Sequence, residues 1–464
     1  MSKKILLTGI ITLSAVASGV IIPKITDKAV TQEITKNLKL LKNNGVEIKI
    51  ISKNGYINGE RKFKGSITNG YSFLLYLSEN IKNEEYKKQV IDKINENEND
   101  INQLLNGTEF EGIIQNNNLG MDDISIDFDI TSISKLEELK KQPEKNKVII
   151  DFIENKVLGG MIILNNNGEL KTFKLKDINK NATSNNHTLD FNLNNVKLSK
   201  NKDGYFIFNI DKFYVNITPE DLNNKSEKIN ISISKLNTLI NLKGNSYFNL
   251  SELSSTLIMP ELSYEMNLSN ISLIQNIIVK QEITDFISKN KIGNISYSSS
   301  LIPGGKAFIE NLNFDIDILN INTTSFDKIK NISNNKSLLT EELEKELTMA
   351  LERTFNKGLK LNLNIGFDKI SGMGREITDI YFDNNFIISE NNLTENNFEQ
   401  EVTNYLTYNG NLKINNNSMK MILPFAGPAG EDIFKKAKIE GDNSIFEVQF
   451  KDKKLTLNGE ELNL

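Results

Sequence analysis

In LNFDIDILNIN, residues Leu312–Asn322, apolar and polar residues alternate: Phe314, Ile316 and Ile318 fall on one side, Asp315 and Asp317 on the other. A period of two marks a strand, whose successive side chains leave opposite faces of a sheet. The same pattern recurs along the chain. In ISIDFDI, Ile124, Ile126, Phe128 and Ile130 oppose Ser125, Asp127 and Asp129. LKLNLNI at Leu359–Ile365 repeats it, and GYFIFNIDKFYVNI at Gly204–Ile217 reads as one long aromatic strand. MIILNNNGELKTFKLKDI, Met161–Ile178, predicts two strands joined by a turn at Asn166-Asn167-Gly168, where Asn and Gly tolerate positive φ. One greasy and one polar face per strand describes antiparallel sheets packed on one side and wet on the other.

Helical patterns are few. Asp27–Lys42 reads as a stalk helix, and Glu84–Leu105 as a polar helix with Val90, Ile91, Ile94, Ile101 and Leu104 inward. Leu273–Lys289 reads as a third. The clearest is Thr340–Gly358: Thr340 caps, Glu341 and Glu342 suit the positive end of the dipole, and Lys357 suits the other. Leu339, Leu343, Leu347, Leu351 and Phe355 form its stripe, and Gly358 stops it. Ile388–Asn397 is expected to be a linker and Asn179–Thr188 a loop. The fold class expected is α+β: a β-rich body of large antiparallel, curved sheets with a few packed helices, plus one N-terminal transmembrane helix. The expected divisions are an anchor or signal over 1–23, a stalk helix over 24–45, an N-terminal β-rich region with helices over 46–200, a central sheet and helix region over 201–390, and a C-terminal strand region over 391–464.

The membrane reading comes from ILLTGIITLSAVASGVIIP, Ile5–Pro23, which carries no charge and follows Lys3 and Lys4. As a helix, Ile5–Ile22 would rise about 27 Å, enough to cross a hydrocarbon core. Its anchoring residues would be Ile5, Leu6, Leu7, Ile10, Ile11, Leu13, Val16, Val20, Ile21 and Ile22. The lysines favour the cytoplasmic side, which would place the body outside it. Ala15-Val16-Ala17 also fits a signal-peptidase site, with cleavage before Ser18, so removal of the segment stays open beside retention.

Composition narrows the chemistry. The 464-residue chain has a formal net charge of −5, which argues against nucleic acid as partner. Arg61, Arg353 and Arg375 are the only arginines; lysine, isoleucine and asparagine are abundant, as AT-rich coding would produce. With no cysteine there are no disulfides, thiolate nucleophiles or Cys-held metals.

The chain opens with its Lys-flanked span and a short helix, followed by ISKNGYINGERKFKGSI (Ile51–Ile67). Later the Leu-striped helix runs into KGLKLNLNIGFDKISGMGREITDIYFD. In this order of elements the chain resembles the YdgA-like bacterial envelope proteins. Tyr56 and Gly59 match that family's early tyrosine-centred segment, and Glu341–Phe382, with Gly372 and Gly374 at the turn, its late helix–strand–turn–strand unit. The resemblance implies a periplasmic body anchored in the inner membrane, and it assigns no catalytic residue.

The candidates for chemistry are sparse. His187 is the sole imidazole, too little for a triad or an ordinary metal site. Asp127/Asp129 and Asp315/Asp317 could each present two carboxylates, with Asp122 and Asp123 near the first pair, to Ca²⁺ or to a sugar. The plainer reading is the wet face of a half-buried strand. Leu301–Phe308 (LIPGGKAF) and Phe425–Asp432 (FAGPAGED) lack phosphate-loop spacing and read as turns. The expectation is a non-enzymatic envelope protein without cofactor. It would contact membrane lipid through its span and bind either lipid or another envelope protein. A secreted adhesin or a cell-wall enzyme stands as the alternative, and the sequence does not specify an oligomeric state.

Overall fold

The computed structural model describes residues 38–462 except 55–57, 80–83, 118–122, 135, 166–169, 185–186, 202–203, 220–227, 242–244, 260–261, 302–304, 326–327, 329–340, 373, 395–396, 398–400 and 426–431. It is β-rich, with a large curved antiparallel sheet and a few helices. The chain divides into two units, the first ending at Lys225 and the second starting at Ser226.

In the first unit the alternation translates directly into burial. β4 (Ile124–Ser132) hides Ile124, Ile126, Phe128 and Ile130 and leaves Asp127 exposed. The preceding strands are β1 (Val46–Asn54), β2 (Asn58–Ile67) and β3 (Glu109–Asn117), each paired antiparallel with the next. β5 (Gly159–Leu164) and β6 (Leu170–Leu175) form the expected hairpin; its turn residues lie outside the described ones. β6 runs on as β7 (Ile178–Ser184), and β8 (His187–Asn194) runs on as β9 (Lys197–Lys200), broken at Asn195 with φ 48°. These two lines pair with each other, and β10 (Phe206–Pro219) pairs along β8 and β9. The expected loop at Asn179–Thr188 is therefore a hairpin: Asn179 pairs with Asn192, and Ser184 with His187. Asparagine there serves ladder positions, so composition misled.

Helices interrupt this sheet twice. Glu84–Leu105 is two helices, α2 (Glu84–Glu96) and α3 (Glu98–Leu105), which follow α1 (Gly70–Ser78). Asn97 breaks them, its amide donating to the Lys93 carbonyl at 2.8 Å. Asn69 caps α1 by accepting from the Ser72 N–H at 2.8 Å. α4 (Leu136–Lys140) and α5 (Pro143–Glu154) follow β4. One core gathers Phe73 and Leu105 from the first helix group, Ile150, Phe152 and Ile153 from α5, and the inward rows of the sheet. Its aromatic rings meet edge-on at Phe63–Phe110 (6.2 Å) and stack at Phe128–Phe173 (6.5 Å). Gly112 makes room for this packing: a Cβ there would lie 2.7 Å from the Phe63 ring and 2.2 Å from the Asp127 carbonyl oxygen.

The second unit is a meander of longer strands: β11 (Lys228–Ile240), β12 (Ser246–Ile258), β13 (Ser263–Lys280), β14 (Ile283–Ser299), β15 (Lys306–Asn322), β16 (Lys360–Gly372), β17 (Arg375–Ile388) and β18 (Leu406–Asn415). Each pairs antiparallel with the next. α6 (Glu341–Asn356) separates β15 from β16; α7 (Asn416–Ile422) and β19 (Lys438–Glu440) follow β18. β20 (Asn443–Lys451) then pairs with β18, β19 and β21 (Lys454–Leu457), and β22 (Glu460–Glu461) closes the chain of pairings. Leu273–Lys289, expected as a helix, is instead the β13–β14 hairpin, which turns at Gln281 with φ 49°. Doublets such as Ile277-Ile278 fit either period, and pairing with β12 and β15 decides between them.

The helix expected over Thr340–Gly358 is α6, with Thr340 and Leu339 outside the described residues. Its packing differs from the leucine stripe. Ala350 and Thr354 are buried, and Leu351 is 39% exposed. Two small residues one turn apart let the helix seat closely, and the Thr354 hydroxyl donates to the Ala350 carbonyl at 3.0 Å. Gly374, with φ 74°, forms the expected turn between β16 and β17. Ile388–Asn397 joins two hydrogen-bonded neighbours, β17 and β18, and buries Ile388 and Leu393.

Candidate functional site

None of the sequence-level acid pairs becomes a site. Asp129 is ion-paired with Lys176 and Asp123 with Lys171, while Asp122 lies outside the described residues. Asp315 accepts the Asn290 N–H at 3.1 Å, and one Asp317 oxygen is buried without a hydrogen-bond partner. Among the described residues no three His, Asp or Glu side chains gather as metal ligands. His187 begins β8, opposite Ser184 and Pro219. A polar cleft of about 550 Å³ lies at the C-terminal end of α6, lined by Asn322, Arg353, Asn356, Lys357, Glu390 and Asn391. Helix-end chemistry accounts for several of these groups. Asn391 donates to the Phe355 carbonyl at 3.0 Å, and Lys357 pairs with Glu282 at 2.9 Å.

Ile5–Ile22, the expected anchor, lies outside the described residues; among those described, no helix is long and apolar enough to cross a membrane.

The feature that stands out is the greasy side of the second unit's sheet. Following the pairings from β11 to β17, one row across seven strands reads Ile233, Leu253, Leu268, Ile295, Ile309, Ile370, Ile377. A second reads Leu236, Leu250, Ile271, Ile292, Leu312, Phe367, Ile380, with Leu312 and Phe367 set opposite each other by the register on either side; within it Leu250 and Ile271 are buried, and Ile380 packs against the cluster around Ile414 and Phe446. A third, two residues further along, includes Phe248, Leu273, Phe314, Ile365 and Phe382. At strand spacings of 4.7–4.9 Å, seven strands span about 29 Å. In an ordinary sheet such rows are covered, as in the first unit. Here every residue of the first row is only half-buried, and in the third Leu273, Phe314 and Phe382 are 37, 39 and 36% exposed. A continuous apolar surface of this extent left in water marks a place of contact.

Between the first two rows runs a different one: Lys235, Ser251, Asn270, Gly293, Asn311, Asp368, Asp379. The registers skip these residues and resume in phase beyond them, as at Ser269↔Asn294 and Ile271↔Ile292; between β15 and β16 the skip also takes in Leu312 and Phe367. On alternate strands the row is left-handed: Lys235, Asn270, Asn311 and Asp379 have φ of 50°, 53°, 50° and 51°. Its polar side is tied together. Asn311 donates to Asp368 at 2.6 Å, the Tyr381 hydroxyl donates to the same carboxylate, and the Lys413 ammonium sits 5.8 Å from the Tyr381 ring centre. The hydrogen bonds from Tyr381 and Asn311 hold the Asp368 carboxyl below its usual range. Burial, with Asp368 adding to it, pushes the Tyr381 phenol up to about 12.

Strand reading alone missed this row, although its trace is in the sequence. In EMNLSNISL the apolar phase passes from Met266 and Leu268 to Ile271 and Leu273, slipping by one at Asn270. The same slip occurs at Asn311 (Ile309 to Leu312) and at Asp379 (Ile377 to Ile380). Only the register shows that these slips lie side by side.

No protein family, no curated protein and no solved structure matches this chain, so what it does rests on its own geometry.

Proposed function

We propose that the second unit binds the acyl chains of lipid on its uncovered apolar face, within a non-enzymatic, YdgA-like envelope protein tethered by the Ile5–Ile22 segment. One observation carries this reading: the aliphatic row from Ile233 to Ile377 crosses seven strands and stays half-exposed throughout, and neither it nor the row beside it holds a charged residue. A folded protein partner would call for polar groups placed to bond across the contact, and those two rows offer none. The acids that a cell-wall enzyme would use are spread along strand faces, and Asp123 and Asp129 are held in ion pairs.

The chain has no tryptophan, so a single introduced one is a clean reporter. Phe314→Trp places it on the apolar face; Lys291→Trp places it on the polar face. Dibromostearic acid, whose bromines quench indole on contact, is added to each purified full-length variant, with stearic acid as the control. Loss of emission in Phe314→Trp and not in Lys291→Trp supports the reading. Equal emission in both overturns it.

A further inference from the structure

We infer that the row from Lys235 to Asp379 is a crease, folding the sheet toward its apolar side and leaving a trough across the strands in which a single acyl chain lies. This rests on the lipid-binding reading above and specifies its geometry.

In a plain strand, residues three apart point to opposite faces. Ile309 and Leu312 on β15 are three apart, as are Leu268 and Ile271 on β13, Ile292 and Ile295 on β14, and Ile377 and Ile380 on β17. Regular alternation would therefore put the Ile233–Ile377 row and the Leu236–Ile380 row on opposite sides of the sheet. Between each pair lie two polar-side positions. One is the crease residue, whose face is shown by the Asn311–Asp368–Tyr381 bonds. The other is its neighbour, whose row makes its own polar contacts: Asn294 to Ser269 at 3.1 Å and Lys369 to Glu376 at 2.6 Å. Two successive residues on one side absorb the phase slip and keep both aliphatic rows together on the other.

The bend follows from the same count. One extra residue per strand on the polar side lengthens that side by about 3.3 Å, so the sheet curves away from it, and bulged strands bend in this manner. The left-handed positions fall on every second strand, and three of those four residues are Asn or Asp, which tolerate that region best. The trough that results is one row wide on each wall and free of ionisable groups; the C-terminal cluster around Ile414 and Phe446 covers its end at Ile380, which leaves six strands, about 24 Å, open. Charged residues Glu252, Glu310 and Lys369 belong to the row behind it. A neutral hydrocarbon chain complements such a strip, lying across the strands.

The test uses pairs of single-tryptophan variants that flank the crease, Ile309→Trp with Leu312→Trp on β15 and Ile292→Trp with Ile295→Trp on β14. Glu310→Trp serves as the polar control. Each full-length variant is first checked for native far-ultraviolet dichroism and then titrated with dibromostearic acid. The crease predicts loss of emission at both members of a pair and retention at Glu310→Trp. Quenching of only one member of each pair overturns the crease while leaving lipid binding standing. Quenching of none, with Phe314→Trp also unquenched, overturns lipid binding itself. The second strand keeps the outcome readable if one β15 variant fails to fold.

Discussion

Replacing Asn311 separates backbone strain from hydrogen bonding at the centre of the second unit. Its φ of 50° lies in the left-handed region, and its amide donates to Asp368 at 2.6 Å. Losing the amide costs about 1 kcal/mol, below the usual range for a carboxylate partner because this face is wet and Tyr381 still donates. Asn311→Gly keeps the backbone comfortable and adds only the glycine's freedom in the unfolded chain, about 0.5 kcal/mol, for a total near 1.5 kcal/mol. Asn311→Val loses the same bond and forces a branched Cβ into the left-handed region, which adds about 2 kcal/mol for a total near 3 kcal/mol. By ordinary strand propensity the order should be the reverse, since valine favours strands and glycine weakens them. The assay is urea unfolding of the full chain in a Phe314→Trp background, read by tryptophan emission so that the second unit reports alone. If valine proves no worse than glycine, with the dependence on urea unchanged, the left-handed residue is not intrinsic to the fold.

Phe128→Ala, in the core of the first unit, is expected to cost about 3–5 kcal/mol, since a 2%-exposed ring leaves a cavity among packed neighbours; thermal unfolding checks it. Gly112→Ala is expected to cost about 1–3 kcal/mol in the same assay, because its new methyl meets the Asp127 carbonyl oxygen and the Phe63 ring. Tyr381 is expected to be among the last tyrosines to ionise: its folded pKa, about 12, exceeds the unfolded value of 10.0, so its contribution to stability is full below pH 10 and fades as pH rises through about 12, read by tyrosinate absorbance. Asp368 works in the opposite sense: its lowered folded value supplies stability above the ordinary aspartate value of 3.8 that fades as pH falls through the folded pKa, and Asp368→Asn should flatten that acid limb in urea titrations.

How much of this was legible beforehand depended on whether one residue type or one pairing decided the matter. ISIDFDI names its own buried face, because in a one-sided sheet period and burial coincide, and α6 follows from its charges and Gly358. The β13–β14 hairpin did not, because isoleucine doublets satisfy both periods until a partner strand is present. Nor did the hairpin over residues 178–194, where asparagines that composition explains as coding bias hold ladder positions and, at Asn195, a positive φ. The uncovered apolar face was beyond reach for a different reason. Each strand announces a greasy side, but only the structure tells whether something lies over it.

From β12 to β18, every strand bonds to the strand that precedes it in the chain. Such neighbour-to-neighbour pairing keeps loop-closure costs small and needs no strand to wait for a distant partner. The sheet can therefore grow vectorially as the polypeptide emerges, each new hairpin docking on a template already formed. Because the last strand always offers the next binding edge, gene segments encoding one more hairpin could lengthen the surface without redesigning what came before.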